Sequence, residues 1–111
     1  VFNNGEMKRD FTYIDDIING IISSMDKNYQ CEIFNLGNSD CIDLMDVISL
    51  LELELGKEAK INFLGMQPGD VEKTFAEISD SKKDLGFSPR TQIKEGVPNF
   101  IKWYKEYFKI Q

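Results

Sequence analysis

The chain has 111 residues, 41% hydrophobic and 29% charged, with 13 Lys and Arg against 19 Asp and Glu. That composition is of a folded globular chain of one-domain size, and a net charge of −6 argues against binding to nucleic acid or an anionic membrane surface. The absence of histidine leaves little room for zinc or triad chemistry, and no apolar run approaches the ~20 residues of a membrane helix.

The chain opens Val1-Phe2-Asn3-Asn4-Gly5 without an initiator methionine, and patterned sequence begins at once. This is the start expected of a cut through a longer protein. Asp10 to Ile14 alternates, with Phe11 and Tyr13 on one side, and predicts a short strand or extended segment. A helix follows, its first N–H groups capped by Asp15 or Asp16. Ile14, Ile17, Ile18, Ile21, Ile22 and Met25 form its apolar stripe, and Lys27-Asn28-Tyr29 ends it.

Cys31 and Cys41 lack the CxxC or histidine partners of a metal or redox site, and read as reduced cysteines of a cytoplasmic protein. Glu32 to Leu36, closed by Gly37-Asn38, suits a strand buried on both faces. Asp43 opens the clearest helix. Leu44, Val47, Ile48, Leu51 and Leu55 share one face, Asp46 lies in the first turn, and Gly56 supplies a left-handed stop. Lys60 to Leu64 predicts a third strand, followed by a Gly/Pro loop from Gly65 to Asp70. Val71 to Glu77 reads as extended, and Ser79 caps a short helix that ends at Gly86. The last helix is expected from about Thr91, burying Ile93, Val97, Phe100, Ile101, Tyr104 and Phe108. Pro98 should kink it or delay its start. Strands alternating with helices make the fold class α/β.

Three polar features stand out. Arg9 heads a strand near a helix N-terminus, and its planar fork of donors suits phosphate oxygens; a solvated or ion-paired arginine is the plainer reading. In Met66-Gln67-Pro68-Gly69-Asp70, glycine admits close approach by a ligand and the carboxylate can accept bonds from sugar hydroxyls. A Pro-Gly turn with Asp70 as a local cap is the plainer reading there. Asn35, an amide in an apolar run, is expected to be buried and to tie down a neighbouring loop. The carboxylates Glu52, Glu54, Asp80 and Asp84 lie on solvated helix faces and form no acid/base pair.

The ordered run Arg9 to Ile17, then Phe34-Asn35-Leu36-Gly37, then Gln67-Pro68-Gly69-Asp70-Val71, then Lys83 to Pro89 resembles one family. It is similar to the C-terminal part of the NAD-dependent nucleotide-sugar epimerases/dehydratases, the extended short-chain dehydrogenases. Lys94-Glu95-Gly96-Val97 and Trp103-Tyr104 fit as well, and the wording is nearest to UDP-glucuronate 4-epimerases. The resemblance implies that Arg9 contacts the diphosphate of a UDP-sugar and Asp70 a ribose hydroxyl. Gln67 stands where many relatives carry a second phosphate-binding arginine.

It also implies a single partial domain over residues 1–111, a substrate-binding portion without the main Rossmann core. Residues 32–37 would form a strand at the edge of that missing sheet. The family's NAD-binding GxxGxxG loop has no counterpart among glycines 5, 20, 37, 56, 65, 69, 86 and 96. Nor does its Tyr-x-x-x-Lys pair, since Ile17, Ile33, Phe108 and Gln111 stand four residues after the tyrosines. The expectation is therefore a chain with no catalytic residue and no bound cofactor, NAD belonging to a full-length parent engaged in polysaccharide biosynthesis. Its partners are then a UDP-sugar and the N-terminal Rossmann portion, with self-association through uncovered apolar surface. A self-sufficient nucleotide-sugar binding module and an inert remnant are the alternatives.

Overall fold

The computed structural model describes all 111 residues, Val1–Gln111. A 3-10 turn at Phe2–Gly5 leads into β1 (Lys8–Arg9), and helix α1 covers Ile14–Asp26. Strand β2 (Ile42–Asp43) runs straight into α2 (Leu44–Leu55). Helices α3 (Ser79–Leu85) and α4 (Ile93–Phe108) complete the chain.

The two strands pair antiparallel, Lys8 opposite Asp43 and Arg9 opposite Ile42. On its other side β1 meets the 72–74 segment in a parallel bridge, the Lys8 N–H donating to the Glu72 carbonyl at 2.8 Å. The Thr74 N–H returns a bond to the Lys8 carbonyl at 3.2 Å. β1 is therefore the middle strand of a small three-segment junction. Strand pairing begins earlier than the alternation predicted: Lys8 and Arg9 take the ladder, and Asp10–Tyr13 carry no strand.

Lys60–Leu64 also forms no strand. Its neighbour is the Val1–Asn4 stretch, which accepts and donates only at Val1 and Asn4 before coiling into the 3-10 turn. Residues 32–37 pair with no strand within the chain. They pack sideways instead, Phe34 and Leu36 closing over a small core of Ile78, Leu85 and Phe87.

Helix α2 follows its pattern closely. Gly56 adopts φ 63° and ends it through N–H bonds to the Glu52 and Leu53 carbonyls. Val47 is buried against α4, where Val97 and Ile101 are buried in turn. Helix α4 starts at Ile93 and runs through Pro98 as one helix. Its aromatic half is not covered: Phe100, Trp103, Tyr107 and Phe108 are exposed, contrary to the expected burial of Phe100 and Phe108.

Helix α1 has the expected span, and its apolar stripe is turned away from the chain's own core. Its narrow side, Asp16 and Gly20, faces the core, where Leu36 and Phe87 press against Gly20. The isoleucine stripe points outward, with Ile14, Ile18, Ile21 and Ile22 exposed and Met25 at 77%. Only 13 of 111 residues are buried, which leaves the chain with a thin core. The accessible surface is 8320 Å² where a monomer of 12.8 kDa would show about 6,300 Å². The radius of gyration is 16.5 Å against roughly 13 Å for this length. The molecule is a slab of 48 × 37 × 19 Å with apolar faces turned out.

Candidate functional site

The junction around β1 gathers the polar residues singled out above. The turn at Gln67–Asp70 is closed by the Asp70 N–H bonding to the Gln67 carbonyl at 3.2 Å. Gly69 takes φ 82° after Pro68, the type II pattern that a side chain at that position would strain. This turn delivers Asp70 to Arg9, with Arg9 Nη2 3.0 Å from Asp70 Oδ1. Arg9 Nη2 also donates to the Val71 carbonyl at 2.7 Å, and Nη1 to the carbonyls of Lys8 at 2.8 Å and Glu72 at 3.2 Å.

Arg9 and Asp70, 61 residues apart in sequence, are thus in direct contact and half-shielded from solvent. The plainer readings of both hold within the chain: Arg9 is ion-paired, and Asp70 Oδ1 caps its neighbour by accepting the Val71 N–H at 2.9 Å. Gln67 lies in the same turn, exposed, with no side-chain hydrogen bond.

Two further carboxylates tie together segments distant in sequence, a role neither had in the sequence reading. Asp10, next to Arg9, accepts the N–H groups of Asn38 at 3.1 Å, Ser39 at 2.9 Å and Ala76 at 2.9 Å. It fastens three segments at one point. Gly37 makes that possible, since a Cβ there would lie 2.5 Å from the Ala76 Cβ and 3.1 Å from Asp10 Oδ2. Asp16, 4% exposed, accepts from Arg90 at 3.0 Å and Thr91 at 3.1 Å.

These bonds correct the expectation that Asp15 or Asp16 caps α1. Tyr13 occupies the cap position without a side-chain bond, and Asp16 serves the approach to α4 instead. Ser79 likewise begins α3 without capping it. The Glu77 carboxylate takes the Ser79 hydroxyl and N–H, and these bonds, the hydroxyl first, hold its pKa below the usual carboxylate range. Asn35 is exposed rather than buried, yet its amide ties to the Glu77 carbonyl at 3.2 Å, and its own carbonyl accepts the Ser81 hydroxyl.

A cavity of about 720 Å³ lies elsewhere. It is a trough between the start of α1, α2 and α4, with Phe11, Tyr13, Val47, Leu51, Val97 and Trp103 in its walls. Arg9, Gln67 and Asp70 take no part in it. Its walls are mostly apolar.

No model of a known protein family matches the chain. An uncharacterized protein of Methanocaldococcus jannaschii is 49% identical over 106 residues, which cover 96% of this chain and 32% of that protein. A UDP-glucuronate 4-epimerase of Thermodesulfobacterium geofontis is 40% identical over 111 residues, covering 99% of this chain and 34% of the enzyme. Among solved structures, a mutant UDP-glucuronic acid 4-epimerase from Bacillus cereus, in complex with UDP-4-deoxy-4-fluoro-glucuronic acid and NAD, superposes with a TM-score of 0.84. It is 36% identical, over 96% of this chain and 35% of that one.

The chain spans about a third of the length of the curated relatives it matches. Its helices and short strands are those of an extended short-chain dehydrogenase without the main sheet. By these matches the chain corresponds to the C-terminal portion of the NAD-dependent nucleotide-sugar epimerases of the extended short-chain dehydrogenase family.

Proposed function

We propose that these 111 residues are the substrate-binding portion of a UDP-glucuronate 4-epimerase-like enzyme. Arg9 takes the diphosphate, Asp70 a ribose hydroxyl, and Gln67 lies at the rim of the same site. The observation that supports this reading is the direct meeting of Arg9 and Asp70 across 61 residues of sequence. A guanidinium and a carboxylate side by side on a short turn offer donors for phosphate and an acceptor for a sugar hydroxyl.

In a full-length parent, bound NAD would supply the hydride chemistry at the sugar's C4. The present residues bind and orient the nucleotide end and take no part in hydride transfer. The chain alone is inactive on this reading, because it has neither the GxxGxxG loop nor the Tyr-x-x-x-Lys pair. The outward stripe of α1 and Ile33, 88% exposed in the segment 32–37, are the surface that the Rossmann portion covers. No helix is long and apolar enough to cross a membrane.

Reading the gene upstream of the Val1 codon tests the parent directly: an in-frame GxxGxxG followed by Tyr-x-x-x-Lys is expected, and its absence contradicts the enzyme. A self-sufficient module is the second reading, favoured by the many backbone groups the chain holds with its own carboxylates. Calorimetry with UDP and UDP-glucuronate decides there. Submillimolar binding abolished by Arg9→Ala supports the module. No heat, with sedimentation showing dimers or larger species, supports an inert self-associating remnant.

A further inference from the structure

We propose that Asp10 is a positioning residue for Arg9: its carboxylate forms the last rung between β1 and the 72–76 segment, and that rung holds the segment in the register that seats the guanidinium. What the seated arginine does rests on the nucleotide-sugar reading above; the seating itself does not.

Parallel pairing repeats every two residues along each strand. Here the Lys8 N–H donates to the Glu72 carbonyl, and the Thr74 N–H to the Lys8 carbonyl. The same progression would bring the Ala76 N–H to the main-chain carbonyl of Asp10. It goes instead to Asp10 Oδ2, at 2.9 Å. The side chain takes the place of its own carbonyl in the ladder. The main chain can then leave the pairing at Asp10 and turn towards α1 while the rung survives.

Arg9 depends on that register. Three of the acceptors on its terminal nitrogens, Asp70 Oδ1 and the carbonyls of Val71 and Glu72, lie on the facing segment. β1 itself is fixed on its other side by β2. The facing segment has less to hold it, since Val71, Glu72 and Lys73 are exposed, and register is weakly specified in a stretch with no buried face. Ala76 is where it packs on the core of Ile78, Leu85 and Phe87, and Ala76 is the residue that Asp10 takes. Bonds from Asn38 and Ser39 tie the same carboxylate to the loop after residues 32–37. The Arg9 side chain gives no hydrogen bond to Asp10, so the coupling between them runs through the backbone.

The test compares Asp10→Asn with Asp16→Asn in the 111-residue chain. Each replaces a carboxylate that uses both oxygens on backbone N–H groups by an amide with one acceptor oxygen. Asp16, however, bonds to Arg90 and Thr91 and to neither β1 nor residues 70–76. NMR of the Arg9 guanidinium reads the seating without ligand. Rotation should be slow in the original chain and in Asp16→Asn, and faster by about tenfold or more in Asp10→Asn. Gly37→Ala reaches the same rung while leaving Asp10 in place, because its methyl meets Ala76 and Asp10 Oδ2, and it should free Arg9 too. UDP affinity should fall about tenfold in Asp10→Asn and less than about twofold in Asp16→Asn.

Equal release of Arg9 by Asp10→Asn and Asp16→Asn means general loosening and overturns the positioning role. So does an Arg9 that stays slow in folded Asp10→Asn or, should that variant not fold, in Gly37→Ala. A freed Arg9 with unchanged UDP affinity overturns the place of Arg9 in nucleotide binding and upholds its positioning by Asp10. No UDP binding by the original chain overturns the nucleotide reading, and the guanidinium rotation then decides the positioning by itself.

Discussion

The β1 junction and the outer faces of α1 and α4 are built on opposite terms. At the junction Asp10 and Asp70 accept backbone N–H groups from Asn38, Ser39, Ala76 and Val71, and on α1 Asp16 accepts those of Arg90 and Thr91. Every one of those bonds closes within the chain. Along the helices the reverse holds, with Ile14, Ile18, Ile22 and Met25 on α1 and Phe100, Trp103 and Tyr107 on α4 turned to solvent. The contrast teaches that site geometry and stability have separate sources here. The chain fixes the backbone around Arg9 by itself, while most of the apolar surface that would stabilise it has no cover among these residues.

Breaking the junction should therefore cost far more than altering the helix faces. Asp10→Ala strands three N–H groups at once and is expected to lose about 3 kcal/mol of stability, read from urea unfolding. Gly37→Ala drives a methyl into Ala76 and should cost about 2 kcal/mol in the same assay. Ile18→Lys alters an outward residue of α1 and should change the stability of this chain by no more than about 0.5 kcal/mol. A loss from Ile18→Lys as large as that from Asp10→Ala would break the comparison.

The smallest effect concerns pH. The Ser79 hydroxyl and N–H hold the Glu77 carboxyl below its ordinary range, so its ionised form is favoured in the folded chain. That contribution is fully present above the ordinary carboxylate pKa and is lost as pH falls through the lowered folded value. The Ser79 amide resonance should titrate with it, and Glu77→Gln should leave that resonance flat.

What the sequence disclosed follows the range of the interactions. Helix α2 and its Gly56 stop depend on neighbours a few residues away, and both were legible. The span of α1 was legible for the same reason, and its orientation was left open. Periodicity finds the isoleucine stripe and cannot say whether anything in the chain covers it. The expected strand at Lys60–Leu64 failed because a strand needs a partner, and Val1–Asn4 bonds to it only through Val1 and Asn4 before coiling away.

Asp10 left no local mark, since its partners lie 28, 29 and 66 residues downstream. Asp16 carried a misleading one: an aspartate at a helix start reads as a cap, while its bonds go to Arg90 and Thr91. Arg9 and Asp70 each looked ordinary alone. It was the order of motifs along the chain that joined them as a candidate site, and the fold puts them 3.0 Å apart.

Amide chemical-shift mapping during a UDP-glucuronate titration tests the central claim most directly. The account predicts that shifts gather at Lys8–Asp10 and Gln67–Glu72, and that Arg9→Ala abolishes them while leaving the rest of the spectrum in place. Shifts gathered instead along the Phe11, Leu51 and Trp103 trough, or unchanged by Arg9→Ala, would contradict it.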